Sequence, residues 1–96
     1  MRYRISRKAL EDLDQIWLYT FQHWSARQAN HYYRMIRQEM EYISDDFSAG
    51  KDIGTIKPGY RQAKVSAHFI IYRQGDDGIT EIVRILHQMM DIPNSI

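Results

Sequence analysis

The chain has 96 residues, a net charge of +1, 44% apolar and 26% charged residues, and no cysteine. That size supports one domain, residues 1–96, with one small hydrophobic core. The lack of cysteine excludes disulfides and thiolate chemistry and suits a cytoplasmic protein, and the longest apolar run, Phe69 to Tyr72, is far too short to cross a membrane.

Taken in chain order, residues 2–5 predict a short strand. Arg2, Arg4, Arg7 and Lys8 lie near the start with no apolar run after them, so no signal peptide is expected. Ser6 is placed to cap a helix. Leu10, Leu13, Trp17 and Phe21 fall on one face of that helix. Glu11, Asp12 and Asp14 sit in its early turns, where the helix dipole favours anions. A second helix starts at Ser25, which has capping-box spacing to Gln28. Ala29, Tyr32, Tyr33, Ile36, Met40, Ile43 and Phe47 then recur every three or four residues, predicting a one-sided helix roughly 30 Å long. The link between the helices is a residue or two, which implies an antiparallel helical hairpin. Trp17, Trp24, Tyr32 and Tyr33 are read as packing residues.

Ser48 to Pro58 contains Gly50 and Gly54 and reads as a loop. Strand-like runs follow at Tyr60–Ser66, His68–Arg73 and Ile79–His87, the last two separated by a Gly-Asp-Asp-Gly turn. The final run is apolar on both faces at Ile82, Val83, Ile85 and Leu86, as an interior strand is. Met89 to Ile96 is a tail. The order β-α-α-β-β-β predicts an α+β fold: an N-terminal strand and a helical hairpin packed on one face of a small, largely antiparallel sheet.

The residues that carry chemistry are few. His23, His31, His68 and His87 lack the spacing of a metal site, and no phosphate loop, nucleophile elbow or cofactor motif occurs. Lys57, Arg61, Lys64 and Arg73 fall in a stretch with no acid. Such a stretch is either a surface for an anionic partner or a solvated edge. Metal-free RNA cleavage needs a base, an acid and fixed cations. Arg61, Arg73 and Arg84 are possible cations, and His68 or His87 a possible acid or base. Arg61 and Arg73 serve equally well to hold an acidic segment of a partner protein, with His87 a hydrogen-bonded structural residue. On the tail, Met89, Met90, Ile92 and Ile96 either fold back on the domain or wait for a partner.

Tyr3-Arg4-Ile5-Ser6, Ala9-Leu10-Glu11-Asp12-Leu13, Ile16-Trp17, Trp24-Ser25, Pro58-Gly59-Tyr60-Arg61, Ser66-Ala67-His68-Phe69-Ile70-Ile71-Tyr72 and Val83-Arg84-Ile85-Leu86-His87-Gln88-Met89-Met90-Asp91 occur in that order. Their order and spacing resemble the ParE toxins of type II toxin–antitoxin systems, within the RelE/ParE superfamily, over nearly the whole chain. The resemblance implies the fold just derived. It also implies a toxin that inhibits bacterial DNA gyrase by binding, without a cofactor. A cognate antitoxin with a flexible segment is implied as the neutralising partner, in a hetero-oligomer that reaches promoter DNA only through the antitoxin or an associated regulator. Arg61, Arg73, Met89, Met90, Ile92 and Ile96 are the expected antitoxin or target contacts. The alternative is the RelE branch, ribosome-dependent messenger-RNA endoribonucleases, with Arg61, Arg73 and His87 as the catalytic set. This chain departs from that branch: Gln88 follows His87, no tyrosine occurs after Tyr72, and the net charge is low.

Overall fold

A computed structural model describes residues 2–96. Strand β1 (Tyr3–Ile5) leads into α1 (Arg7–His23), and α2 (Ala26–Asp45) returns antiparallel to it. Strands β2 (Lys51–Asp52), β3 (Tyr60–Val65), β4 (His68–Gln74) and β5 (Thr80–His87) follow, and the chain ends in a short helix, α3 (Ile92–Ser95). The five strands are ordered β1-β5-β4-β3-β2. Among the described residues only the β1–β5 pair is parallel.

Local sequence explains the element ends. The Ser6 hydroxyl accepts from Ala9 N–H at 3.0 Å and Ser25 from Gln28 N–H at 3.0 Å, so both helices start on the predicted caps. Ser6 also donates to the Val83 carbonyl at 2.7 Å, tying the start of α1 to β5. Gly78 adopts φ +81° in the β4–β5 turn, a conformation that glycine reaches without a Cβ clash.

The sheet is covered on both sides. On one face α1 and α2 bury Leu13, Ile36, Met40 and Ile43 against Ile70, Tyr72, Ile82 and Ile85. On the other face Ile71 and Leu86 pack with Ile53, and Ile92 and Ile96 of the tail close over them. This two-sided burial is why β5 is apolar on both faces, and β5 is an interior strand as expected.

Two expectations need correcting. The stretch 48–58 is not plain loop: a 3-10 turn at Phe47–Ala49 and strand β2 occupy its start. The Tyr72 hydroxyl organises that turn, donating to the Phe47 carbonyl at 2.7 Å and accepting from Gly50 N–H at 2.9 Å. A side chain at Gly50 would collide with that hydroxyl and with the Gln62 carbonyl. Of the two readings left open for the tail, its end folds back as α3. Trp24 is not a core residue, being 68% exposed at the hairpin link.

Candidate functional site

The residues proposed for RNA cleavage do not meet. Arg61 lies opposite Tyr72 in the β3–β4 ladder, whereas His87 lies opposite His68, which in turn faces Val65. Four residues of strand therefore separate Arg61 from His87, about 13 Å along the sheet at ~3.3 Å per residue. Arg73 pairs with Tyr60, one position out of step with Arg61, so its side chain leaves the opposite face of the sheet. The three cannot surround one phosphate.

Each cation is also engaged internally. The Arg61 guanidinium donates to the Gly50 carbonyl at 2.7 Å and sits over the Phe47 ring, 5.6 Å from its centroid. Arg73 lies 3.4 Å from Glu81, which also holds Arg4 at 2.9 Å, and Arg4 reaches Asp77 at 2.7 Å. That exposed network has two cations and two carboxylates. The Arg4 hydrogen bond holds the Asp77 carboxyl at about 2, below its ordinary 3.8. Lys57 stacks on Tyr60 and Lys64 on Phe69.

Arg84 is the most constrained. Its Nε and Nη2 donate to Asp12 at 2.8 and 2.9 Å, and its Nη1 donates to the Ser95 carbonyl at 2.9 Å. Asp12 also accepts from Ile85 N–H at 3.0 Å. β1 pairs with β5 only as far as Ile82, so Asp12 serves as acceptor for the strand edge beyond it. The hydrogen bonds to Asp12 raise the Arg84 pKa and fix the guanidinium as a strut joining α1, β5 and α3. An arginine so paired is not available to a phosphate.

One titratable cluster does form, around a residue read from sequence as packing alone. The Tyr32 hydroxyl lies 2.7 Å from His68 Nδ1 and donates to the Val65 carbonyl at 2.9 Å. The His68 and His87 rings meet edge to face, 5.2 Å apart. Burial, helped by His87, pushes His68 down to about 4 from an ordinary 6.5, so it is neutral at physiological pH. His87 Nδ1 accepts from Met89 N–H at 3.1 Å. None of the three arginines serves the cluster as a fixed cation: Arg84 is taken by Asp12, and Arg61 and Arg73 are remote. Those three arginines therefore do not give it the charge stabilisation that a phosphorane requires.

The tail residues divide. Ile92 and Ile96 fold back on Ile53, Ile71 and Leu86, while Met89 and Met90 stay exposed. The larger uncovered surface is on the helices, where sequence periodicity had implied a buried stripe. Leu13 is buried, but Leu10, Leu18 and Phe21 are each more than 40% exposed. Asp14, Trp17, Leu18, Asn30 and Tyr33 line a groove between α1 and α2. Arg34 is exposed one turn from Asn30 on the same side of α2. The signal was present in the sequence: apolar residues on α1 span too wide an arc for one sheet face to cover.

A family model described as "ParE toxin of type II toxin-antitoxin system, parDE" matches residues 3–92. The chain is 38% identical over 89 residues to a protein named Toxin ParE1 from Caulobacter vibrioides, covering 93% of this chain and 91% of that one. It is 32% identical over 95 residues to Toxin ParE1 of Mycobacterium tuberculosis, covering 99% and 97% respectively. A solved structure described as the chromosomal ParDE TA system from P. aeruginosa superposes with a TM-score of 0.78, covering 91% of this chain and 95% of that chain. Its sequence identity is 20%, so that likeness is one of fold.

Proposed function

This chain belongs to the ParE toxin family, and from that premise we propose that it arrests growth by binding bacterial DNA gyrase in the cytoplasm, without catalysing a reaction. The observation that supports a binding mode is the dispersal of Arg61, Arg73 and His87 over both faces and opposite ends of the sheet. A toxin that acts by contact needs exposed surface rather than a convergent acid, base and cation. Met89 and Met90, with exposed Ile56, are the sheet-side contacts of this reading.

Neutralisation falls to a cognate antitoxin, in a hetero-oligomer. One straight segment on one face cannot cover both Arg61 and Arg73, so the antitoxin's place moves to the helices. An amphipathic helix fits the groove there, with its acidic side turned toward Arg34 and away from the groove-lining Asp14. Its apolar side meets Leu10, Leu18 and Phe21, and its carboxylates meet Arg34, for which no ion pair occurs among the described residues. Phe21→Glu is expected to abolish antitoxin binding, measured by titration calorimetry, with the fold retained. Antitoxin affinity unchanged in folded Phe21→Glu refutes that placement.

Expression of the toxin with His87→Gln separates the proposal from the ribonuclease alternative. The binding reading expects growth arrest to persist, with induction of a DNA-damage reporter and intact messenger RNA. Loss of toxicity in a folded His87→Gln variant, with wild-type protein cutting ribosome-bound RNA, overturns it.

A further inference from the structure

Residues 15–38, which form the outer half of the helical hairpin, contain Arg27, Arg34 and Arg37, with His23 and His31, and no aspartate or glutamate. The link end of this stretch is also where the exposed rings gather. Trp24 is 68% and Tyr19 57% exposed. Tyr19 stacks on His23 at 3.9 Å between centroids, and Trp24 is tilted 6.2 Å from His23. Neither Arg27 nor His31 has an ion-pair partner among the described residues. The cation at the link end is Arg27, three residues from Trp24, whereas Arg34 and Arg37 lie about two and three turns further along α2 and Arg37 sits over the Tyr3 and Tyr33 rings.

Core packing does not account for these rings, because their ring contacts are with each other and with the exposed His23. Helix stability does not require them either, since aromatics are middling helix formers. A partner that is anionic along its length and offers flat π-faces suits both features together. From this juxtaposition we infer that the tip of the helical hairpin is a contact for single-stranded DNA, with Trp24 and Tyr19 as stacking platforms and Arg27 as a phosphate contact. Unpaired bases stack on exposed rings while cations track the backbone. An acidic protein surface would use Arg27 but would leave the rings without a π partner. A duplex keeps its bases stacked on each other, and so withholds them from the rings. The choice of DNA over RNA rests on the gyrase reading; the binding itself does not. The tip adjoins the groove assigned to the antitoxin, so a bound antitoxin would restrict access to it.

The test is fluorescence titration of the folded, antitoxin-free protein with a fluorescein-labelled 15-mer of deoxythymidine, at 50 and 200 mM salt. Saturable binding is expected, weakening with salt as counterions are released. Trp24→Ala should weaken it about tenfold, in line with loss of one base–ring stack. Arg27→Gln should weaken it and flatten the salt slope. Trp24→Phe, which keeps a ring, should largely restore binding, and circular dichroism checks that each variant is folded. The inference is overturned by no saturable binding at 50 mM salt, by equal affinity for a duplex of the same length, or by tighter binding to the matching RNA. Binding indifferent to Trp24→Ala also overturns it. Because no gyrase is present, failure here is distinct from failure of the proposed function, which is read from supercoiling.

Discussion

Asp12→Ala tests the strut that joins the two layers. Asp12 accepts from Arg84 Nε, Arg84 Nη2 and Ile85 N–H, and the Asp12 and Arg84 side chains are only 16% and 18% exposed. Removing the carboxylate strands a largely covered guanidinium and leaves a strand-edge N–H without its acceptor. Breaking a buried ion pair by deleting one partner costs about 3–5 kcal/mol. Some water reaches this pair, so the lower end, about 3 kcal/mol, applies. In a domain of this size that lowers the melting temperature by roughly 12–24 °C at ~4–8 °C per kcal/mol. Urea denaturation followed by circular dichroism measures it directly. The double variant Asp12→Ala with Arg84→Met leaves no orphaned charge. It should be less destabilised than the sum of the single variants by about 1–3 kcal/mol. An Asp12→Ala loss below about 1 kcal/mol, or strict additivity in the double variant, refutes the strut.

Further outcomes follow from the same geometry. His68 has its pKa lowered to about 4 in the folded chain against 6.5 ordinarily, so the unfolded chain takes up the proton first. Stability should be full above pH ~6.5 and fall by about 1–2 kcal/mol on descending to pH 5. His68→Gln should abolish that slope in urea melts, and a slope that persists in His68→Gln assigns it elsewhere. Tyr72→Phe removes one donated and one accepted hydrogen bond at the Phe47–Gly50 turn, for a loss of about 1–3 kcal/mol. Faster amide exchange at Gly50 than at β4 should accompany it, and unaltered exchange at Gly50 counts against the Tyr72 anchor. Ile92→Ser should expose Ile71 and Leu86 and raise binding of a hydrophobic dye in the native state. Unchanged dye binding would mean that α3 does not seal that face.

The fold was legible because its signals are local. Ser6 and Ser25 announce both helices, the Ala29-to-Ile43 spacing gives α2, and the two-faced apolar run of β5 marks an interior strand. What stayed hidden depends on partners distant in sequence. Asp12 reads as an ordinary acid in the early turns of a helix until Arg84 and Ile85, more than seventy residues away, close on it. Lys51–Asp52 carries no strand signal of its own and is held in place by pairing with Arg61 and Gln62. Arg61 and Arg73 looked like neighbours because their strands are adjacent. Strand parity, fixed only by register, sends them to opposite faces. Trp24 shows the reverse error: a large aromatic in a helix-end sequence was assigned to the core, whereas the two-residue link leaves no layer above it.

Binding to gyrase is the proposed route by which this family member arrests growth. Purified gyrase, relaxed plasmid and ATP, incubated with the folded protein, test it most directly. Loss of supercoiling with accumulation of cleaved DNA, reversed by prior addition of the antitoxin, is the predicted result. Undiminished supercoiling and intact plasmid at toxin concentrations well above that of gyrase would contradict the claim.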